Sequence, residues 1–317
     1  MTTPTLKQPR EAERVGPGRW RKLRSGPTLA RENARLGRWL VAPAVAITAA
    51  LVVYPLVVGL QTSLHAQAST LSAPSKFVGF GNYSDLLNDP TTRSTFVHTL
   101  FYVVIALTLE ITGGLIIAVV LHRAFRGRGI VLAILILPWA LPSVVSGVLW
   151  QRIFAPDNGL LNSILVNLHI IHSPQVWFAS GWAIPFITLV HVWGVLPLIA
   201  LILVAGLQSI PEDVYSASAV DGATPVRQFL HITLPLLRPA LAVAVIVGLI
   251  QAITIFDEIY VLNGTALNTA SVLIQVYNIA FVDADFAHGT ALAFIVAAAT
   301  GVFALVSLLI SRKSSTA

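Results

Sequence analysis

The segment Pro211-Glu212-Asp213-Val214-Tyr215-Ser216-Ala217-Ser218-Ala219-Val220-Asp221-Gly222-Ala223, followed by Ile232-Thr233-Leu234-Pro235-Leu236-Leu237-Arg238-Pro239, is polar chain caught between two apolar stretches that each suffice to cross a bilayer. Asp221-Gly222 reads as a helix stop. Glycine takes the positive φ that ends a helix and lets the backbone come close to another surface. Val214, Ala217 and Val220/Asp221 recur every three to four residues, which gives one helix face small and apolar enough to enter a groove. Pro235 and Pro239 bracket Leu236-Leu237-Arg238 and stop that helix before the next span. On composition alone, an ordinary amphipathic helix at the membrane surface is the favoured reading.

The flanks fix the class. The chain is 56% hydrophobic and 11% charged, with a mean hydropathy of +0.79. Soluble domains carry about 25% charged residues. The apolar excess falls in six blocks, 39–60, 95–121, 130–153, 181–207, 240–262 and 288–310. Each reaches the roughly 20 residues that a hydrocarbon core of about 30 Å requires. The expectation is an all-α, polytopic membrane protein with six transmembrane helices and both termini cytoplasmic. Orientation follows from charge. With the N-terminus inside, 17 of the 20 Lys and Arg residues lie in inside segments, and only Lys76, Arg93 and Arg152 lie outside. The net charge of +6 therefore calls for no nucleic acid. The basic tail sits beside anionic lipid headgroups. There is no Cys, which excludes disulfides and Cys-based zinc sites.

Residues 1–38 read as a basic cytoplasmic tail, disordered over 1–30 and with a short interfacial helix over 31–38. Residues 39–311 read as the transmembrane domain, with the long inside loop at 208–238, and 312–317 as a second cytoplasmic tail. Two outside loops carry apolar residues enough to fold as caps: Phe77-Val78-Gly79-Phe80-Gly81-Asn82-Tyr83 in the first and Ala155-Pro156-Asp157-Asn158-Gly159-Leu160-Leu161-Asn162 in the second. Prolines fall inside spans as pairs: Pro43 and Pro55, Pro138 and Pro142, Pro185 and Pro197. Each frees a carbonyl that must find a partner or a wet cavity. The pairs in spans three and four point to a pathway.

Several chemistries have no motif. There is no Gly-x-x-x-x-Gly-Lys-Ser/Thr phosphate loop, no His-Glu-x-x-His and no Gly-x-Ser-x-Gly. Glu110, His191, Asp257 and Glu258 are the main ionisable residues at membrane depth, few and scattered for an ion-coupled secondary transporter of small solutes, the first rival. Glu110 and His191 read as interhelical hydrogen-bonding residues. A membrane-embedded enzyme, the second rival, would need an acid or His cluster at one face. Asp283, Asp285 and His288 are the close set, and a short hydrated turn explains them.

The inside loop resembles the EAA motif of ABC importer permeases, Glu-Ala-Ala-x-x-x-Gly, nine residues, then Ile-x-Leu-Pro. Ala217, Asp221, Gly222 and Ala223 match, and Ile232, Leu234 and Pro235 follow at the required distance. Ser216 stands where the motif has Glu, and Ser218 where it has its second Ala. The resemblance puts an ion pair with the ATPase at that Glu, so Glu212 or Asp213 is its candidate replacement here. Leu137-Pro138-Trp139-Ala140-Leu141-Pro142, Ile255-Phe256-Asp257-Glu258-Ile259-Tyr260-Val261-Leu262-Asn263-Gly264 and the outside Phe77–Tyr83 string are similar to carbohydrate importer permeases of the maltose/trehalose/glycerol-phosphate group, in their compact six-helix form.

That resemblance implies the type I ABC importer permease fold in the cell membrane and no covalent chemistry by this chain. It implies four kinds of partner: a second homologous permease subunit, two ATPase subunits that hold ATP and Mg, an extracytoplasmic solute-binding protein, and membrane lipid. No cofactor or metal is expected on this chain. The ATPase-coupling residues it implies are Glu212, Asp213, Tyr215, Ser216, Ala217, Asp221, Gly222 and Ala223. For the solute pathway, sugars call for flat aromatic faces and for acids or amides at their hydroxyls. Trp139, Trp193, Gln251, Asp257, Glu258 and Tyr260 fit, with Gln251 two turns before Asp257 on one helix.

Overall fold

The computed structural model describes residues 27–66, 76–123, 125–179 and 181–314. The chain divides into two units, Met1–Val57 and Val58–Ala317. Helix α1 (Pro27–Ser63) begins in the first. The interfacial helix expected over 31–38 is not separate: it runs into the span without a break, through Pro43 and Pro55. From Trp39 to Val57 its large apolar side chains are exposed, as a lipid-facing surface would be. The tail reading over residues 1–26 lies outside the described residues.

Among the described residues, the second unit is built of helices, with one isolated antiparallel bridge between His65 and Phe77. After α1 come α2 (Gly81–Asn88), α3 (Pro90–His122), α4 (Arg128–Ala140), α5 (Ser143–Ile153), α6 (Leu160–Asn167) and α7 (Ala183–Gln208). The inside loop holds α8 (Glu212–Val220), α9 (Pro225–Gln228), a π-turn over Phe229–Thr233 and α10 (Leu234–Leu236). The remainder is α11 (Arg238–Ile253), α12 (Asp257–Asn263), α13 (Val272–Tyr277), a second π-turn over Asn278–Val282 and α14 (Phe286–Ser314). By length and composition, the described residues offer five helices able to cross a membrane, and six if one bent pair is a single span.

That bent pair is the expected third span. Helices α4 and α5 meet at 97°. Pro138 lies in the last turn of α4, Leu141 is extended, and Pro142 precedes the first turn of α5. The expected break of span four is absent. Pro185 falls in the first turn of α7, where no intrahelical N–H bond is lost, and α7 continues through Pro197 to Gln208. Instead, span five breaks over Thr254–Phe256, between α11 and α12, with no proline present. Phe256 there takes φ −140° and ψ −58°.

Helix α7 is the most buried span and lies against α3, α4 and α11. Toward the inside, Leu121, Ile199, Leu203, Leu207 and Leu237 form one apolar core. Lipid is as apolar as leucine, so close packing rather than water exclusion holds such helices together. Gly206 shows how close: a Cβ added there would lie 2.4 Å from the Ala240 Cβ, so α7 and α11 touch nearly backbone to backbone.

The outside loops are built as small caps. Asn82 donates through Nδ2 to the carbonyls of Ser63 (2.8 Å) and His65 (2.9 Å), and Ser63 Oγ lies 2.8 Å from the Tyr83 hydroxyl. Asn162 ties the second loop by donating to the carbonyls of Pro156 and Gln175, both at 3.0 Å. At the start of α3, Asp89 accepts from the Thr92 backbone N–H (2.7 Å) and hydroxyl (2.8 Å). Its partial burial favours the neutral acid, but these bonds outweigh that and hold the carboxyl below its ordinary range.

Candidate functional site

The inside loop folds around its glycine. Helix α8 has Glu212 and Asp213 in its first turn, where the helix dipole favours negative charge. It ends in a Schellman motif. The N–H of Ala223 donates to the Ser218 carbonyl at 3.0 Å, and the N–H of Gly222 to that of Ala219 at 3.1 Å. Gly222 takes φ +76°, which side chains rarely adopt.

The two faces of α8 differ. Glu212, Asp213, Ser216, Ala217, Val220, Asp221 and Gly222 are exposed, Val220 at 88%. Ala223 is half-buried. Tyr215 and Ser218 turn toward the bundle. The Tyr215 hydroxyl lies 3.1 Å from Thr233 Oγ1, and its ring packs on the Leu203–Leu207–Leu237 core. Ser218 Oγ accepts from Gln228 Nε2 at 2.9 Å. The helix thus offers a small, partly acidic outer face and is pinned by its inner face to the start of α10 and α11.

At membrane depth, the breaks in spans three and five bring residues together. Ser143, first in α5, donates its hydroxyl to Asp257, first in α12. Glu258 Oε1 lies 3.1 Å from His191 Nδ1, and His191 Nε2 lies 3.6 Å from Glu110 Oε1. The ionisable residues expected to be scattered are therefore gathered: Glu110 from α3, His191 from α7 and Glu258 from α12 form one line. They sit on three separate helices, so no spacing in the sequence announces the contact. Their interhelical role was legible, but their union was not.

The other predicted pathway residues divide. Trp193 is half-buried and meets Trp150 edge-on, with centroids 5.6 Å apart. Tyr260 is exposed, stacks on Phe256 at 5.6 Å and meets Tyr277 at 5.4 Å. Trp139 is exposed on the last turn of α4. Gln251 is exposed on α11, and the interruption over Thr254–Phe256 separates it from Asp257 within one span, Arg238–Asn263. Ser143 and Trp150 were missed, because a serine and a tryptophan in an apolar span carry no signal of their own.

A cavity of about 610 Å³ lies elsewhere, at the outside ends of α3 and α14, and is lined by Asp85, Asp89, Gln275, Asn278, Asp283 and His288 among others. Asp285 caps α14 by accepting the His288 N–H at 3.0 Å, and its other oxygen lies 2.7 Å from His288 Nδ1. Asp285 and His288 are thus partners within the turn itself.

Residues 110–314 match the family described as the binding-protein-dependent transport system inner membrane component. The chain is 34% identical over 288 residues to the trehalose/maltose transport system permease protein MalF of Thermococcus litoralis, covering 88% of this chain and 95% of that one. It is 32% identical over 285 residues to the trehalose transport system permease protein SugA of Mycobacterium tuberculosis, covering 89% and 90%. Its fold matches a chain of a bacterial ABC transporter involved in the import of the acidic polysaccharide alginate, with a TM-score of 0.76 at 21% identity over 90% of this chain and 99% of that one.

Proposed function

The chain belongs to the family of binding-protein-dependent transport system inner membrane components, and from that premise we propose that it lines half of the route by which an ABC importer takes up a sugar or related polyol. It is a multi-pass inner-membrane permease and not the catalytic component. The trehalose and maltose named for its relatives support the solute class. A second, homologous permease subunit completes the pathway, two ATPase subunits bind ATP and Mg, and an extracytoplasmic binding protein delivers the solute.

The observation that carries this reading is the two-faced helix α8. Its exposed face, Glu212, Asp213, Ser216, Ala217, Val220, Asp221 and Gly222, seats in a cleft of an ATPase subunit. Ala223 completes the turn. Tyr215 passes the force inward. Through Thr233 and the Leu207–Leu237 core, a displacement of α8 reaches the end of α7 and the start of α11 together. ATP binding closes the ATPase pair, α8 moves as a rigid body, and the spans rock to open the solute route outward. The route runs past the broken helices. Asp257 and Glu258 accept solute hydroxyls, while Tyr260, Trp193, Trp139 and Gln251 supply faces and an amide.

The chain has no Cys, so a single Val220→Cys reports cleanly. In the assembled importer, a thiol-directed photo-crosslinker at that position is expected to capture an ATPase subunit, with a yield that changes when ATP is added. A label that reaches only lipid, in an assembly shown to contain the ATPases, removes the coupling role of α8.

A further inference from the structure

One buried group has no part in the function so far: Glu110. Its side chain is 0% exposed, against 4% for His191 and 15% for Glu258. Among the described residues, neither carboxyl oxygen of Glu110 has a hydrogen-bond partner, nor has His191 Nε2. Burying an acid without donors costs stability, and an apolar residue of the same shape would serve packing better. The carboxyl is also hemmed in. A Cβ added at Gly248 of α11 would lie 2.6 Å from Glu110 Oε2, so the helix behind it leaves no room to turn away. It faces His191, and His191 turns its other nitrogen to Glu258 Oε1 at 3.1 Å.

We propose that Glu110 and His191 are positioning residues, which hold the Glu258 carboxylate so that it accepts a hydroxyl from a neutral polyhydroxylated solute. This rests on the reading of Glu258 as a pathway residue. The ordering of exposure runs from a sealed acid, through an imidazole that can donate at either nitrogen, to an acid that reaches the accessible surface. A carboxylate fixed at one oxygen loses rotational freedom, and less is then lost when the solute binds. Charge sets the class of solute. The ionisable groups next to Glu258 are its chain neighbour Asp257, held by Ser143 of α5, and His191 with Glu110 behind it. Helix α3 beyond Arg93, all of α7 and all of α12 carry no Lys or Arg, and the one cation of α5, Arg152, lies in its last turn, at the opposite end from Ser143. The site therefore offers acceptors to hydroxyls and repels an anionic saccharide.

The test uses the whole importer in proteoliposomes, with saturating loaded binding protein and whichever neutral saccharide the wild type imports. The quantity read is solute imported per ATP hydrolysed. His191→Leu and Glu110→Leu are expected to lower it about tenfold, Glu258→Gln at least as much, and His191→Asn, whose amide still donates toward Glu258, to hold it within about threefold of wild type. If Glu258→Gln lowers the ratio but His191→Leu does not, the positioning role is wrong and the pathway reading stands. If Glu258→Gln leaves it unchanged, the pathway reading itself fails. Uptake and hydrolysis lost in parallel in both His191 variants would mark a purely structural residue, and a wild type that imports only anionic saccharides would overturn the solute class.

Discussion

Gly222→Pro is expected to abolish most of the ATP hydrolysis that loaded binding protein stimulates in the reconstituted importer. Gly222 takes φ +76°, and its N–H closes the end of α8 on the Ala219 carbonyl. Proline cannot adopt that φ and has no N–H to give. A non-glycine residue forced there costs about 1–3 kcal/mol, and about 3 kcal/mol is more than a hundredfold in the population of the folded turn. The loss is confined to a loop outside the membrane, so the variant chain should still insert and assemble. Gly222→Asn is the matched control. Asparagine tolerates the left-handed conformation and keeps the N–H, and most of the stimulated activity should survive. Stimulated hydrolysis at wild-type level in Gly222→Pro would separate the loop from the motor.

The second large effect is on stability. Gly248 lies where α3, α7 and α11 converge. A Cβ there would lie 2.6 Å from Glu110 Oε2, 3.0 Å from Leu107 Cδ2 and 3.7 Å from Ile199 Cδ1. Gly248→Val adds three carbons to that space. Overpacking of this kind costs about 1–3 kcal/mol, and the displaced carboxyl is driven out of line with His191. Thermal unfolding of the assembled complex in detergent should fall to lower temperature, more for Val than for Ala. A double-mutant cycle locates the cause. In a Glu110→Ala background the space opens, and Gly248→Ala should cost clearly less than it does alone. Equal costs in both backgrounds would show that the strain lies against Leu107 instead.

Much of this architecture is written in the sequence because the bilayer leaves few choices. Spans must be long and apolar, so the blocks were legible. The inside loop was legible because its parts are local: Gly222 ends α8 where the spacing said it would. The breaks were legible only in part. Pro138 and Pro142 marked the bend between α4 and α5, but Pro185 sits harmlessly in a first turn. The break at Thr254–Phe256 carries no proline at all, and tertiary contacts with α5 and α13 hold it: Ser143 on Asp257, and Ser271 on the Ile255 carbonyl at 2.9 Å. The line from Glu110 to Glu258 was illegible for the same reason. Its members are 67 or more residues apart, and only the packing of α3, α7 and α12 joins them.

The source of energy is the point on which the rest depends. In sealed proteoliposomes holding the complete importer, uphill uptake of the neutral saccharide should require ATP on the side of α8 and loaded binding protein on the other. A proton or sodium gradient without ATP should drive none. Uphill uptake by this chain alone, powered by an ion gradient, would contradict the account.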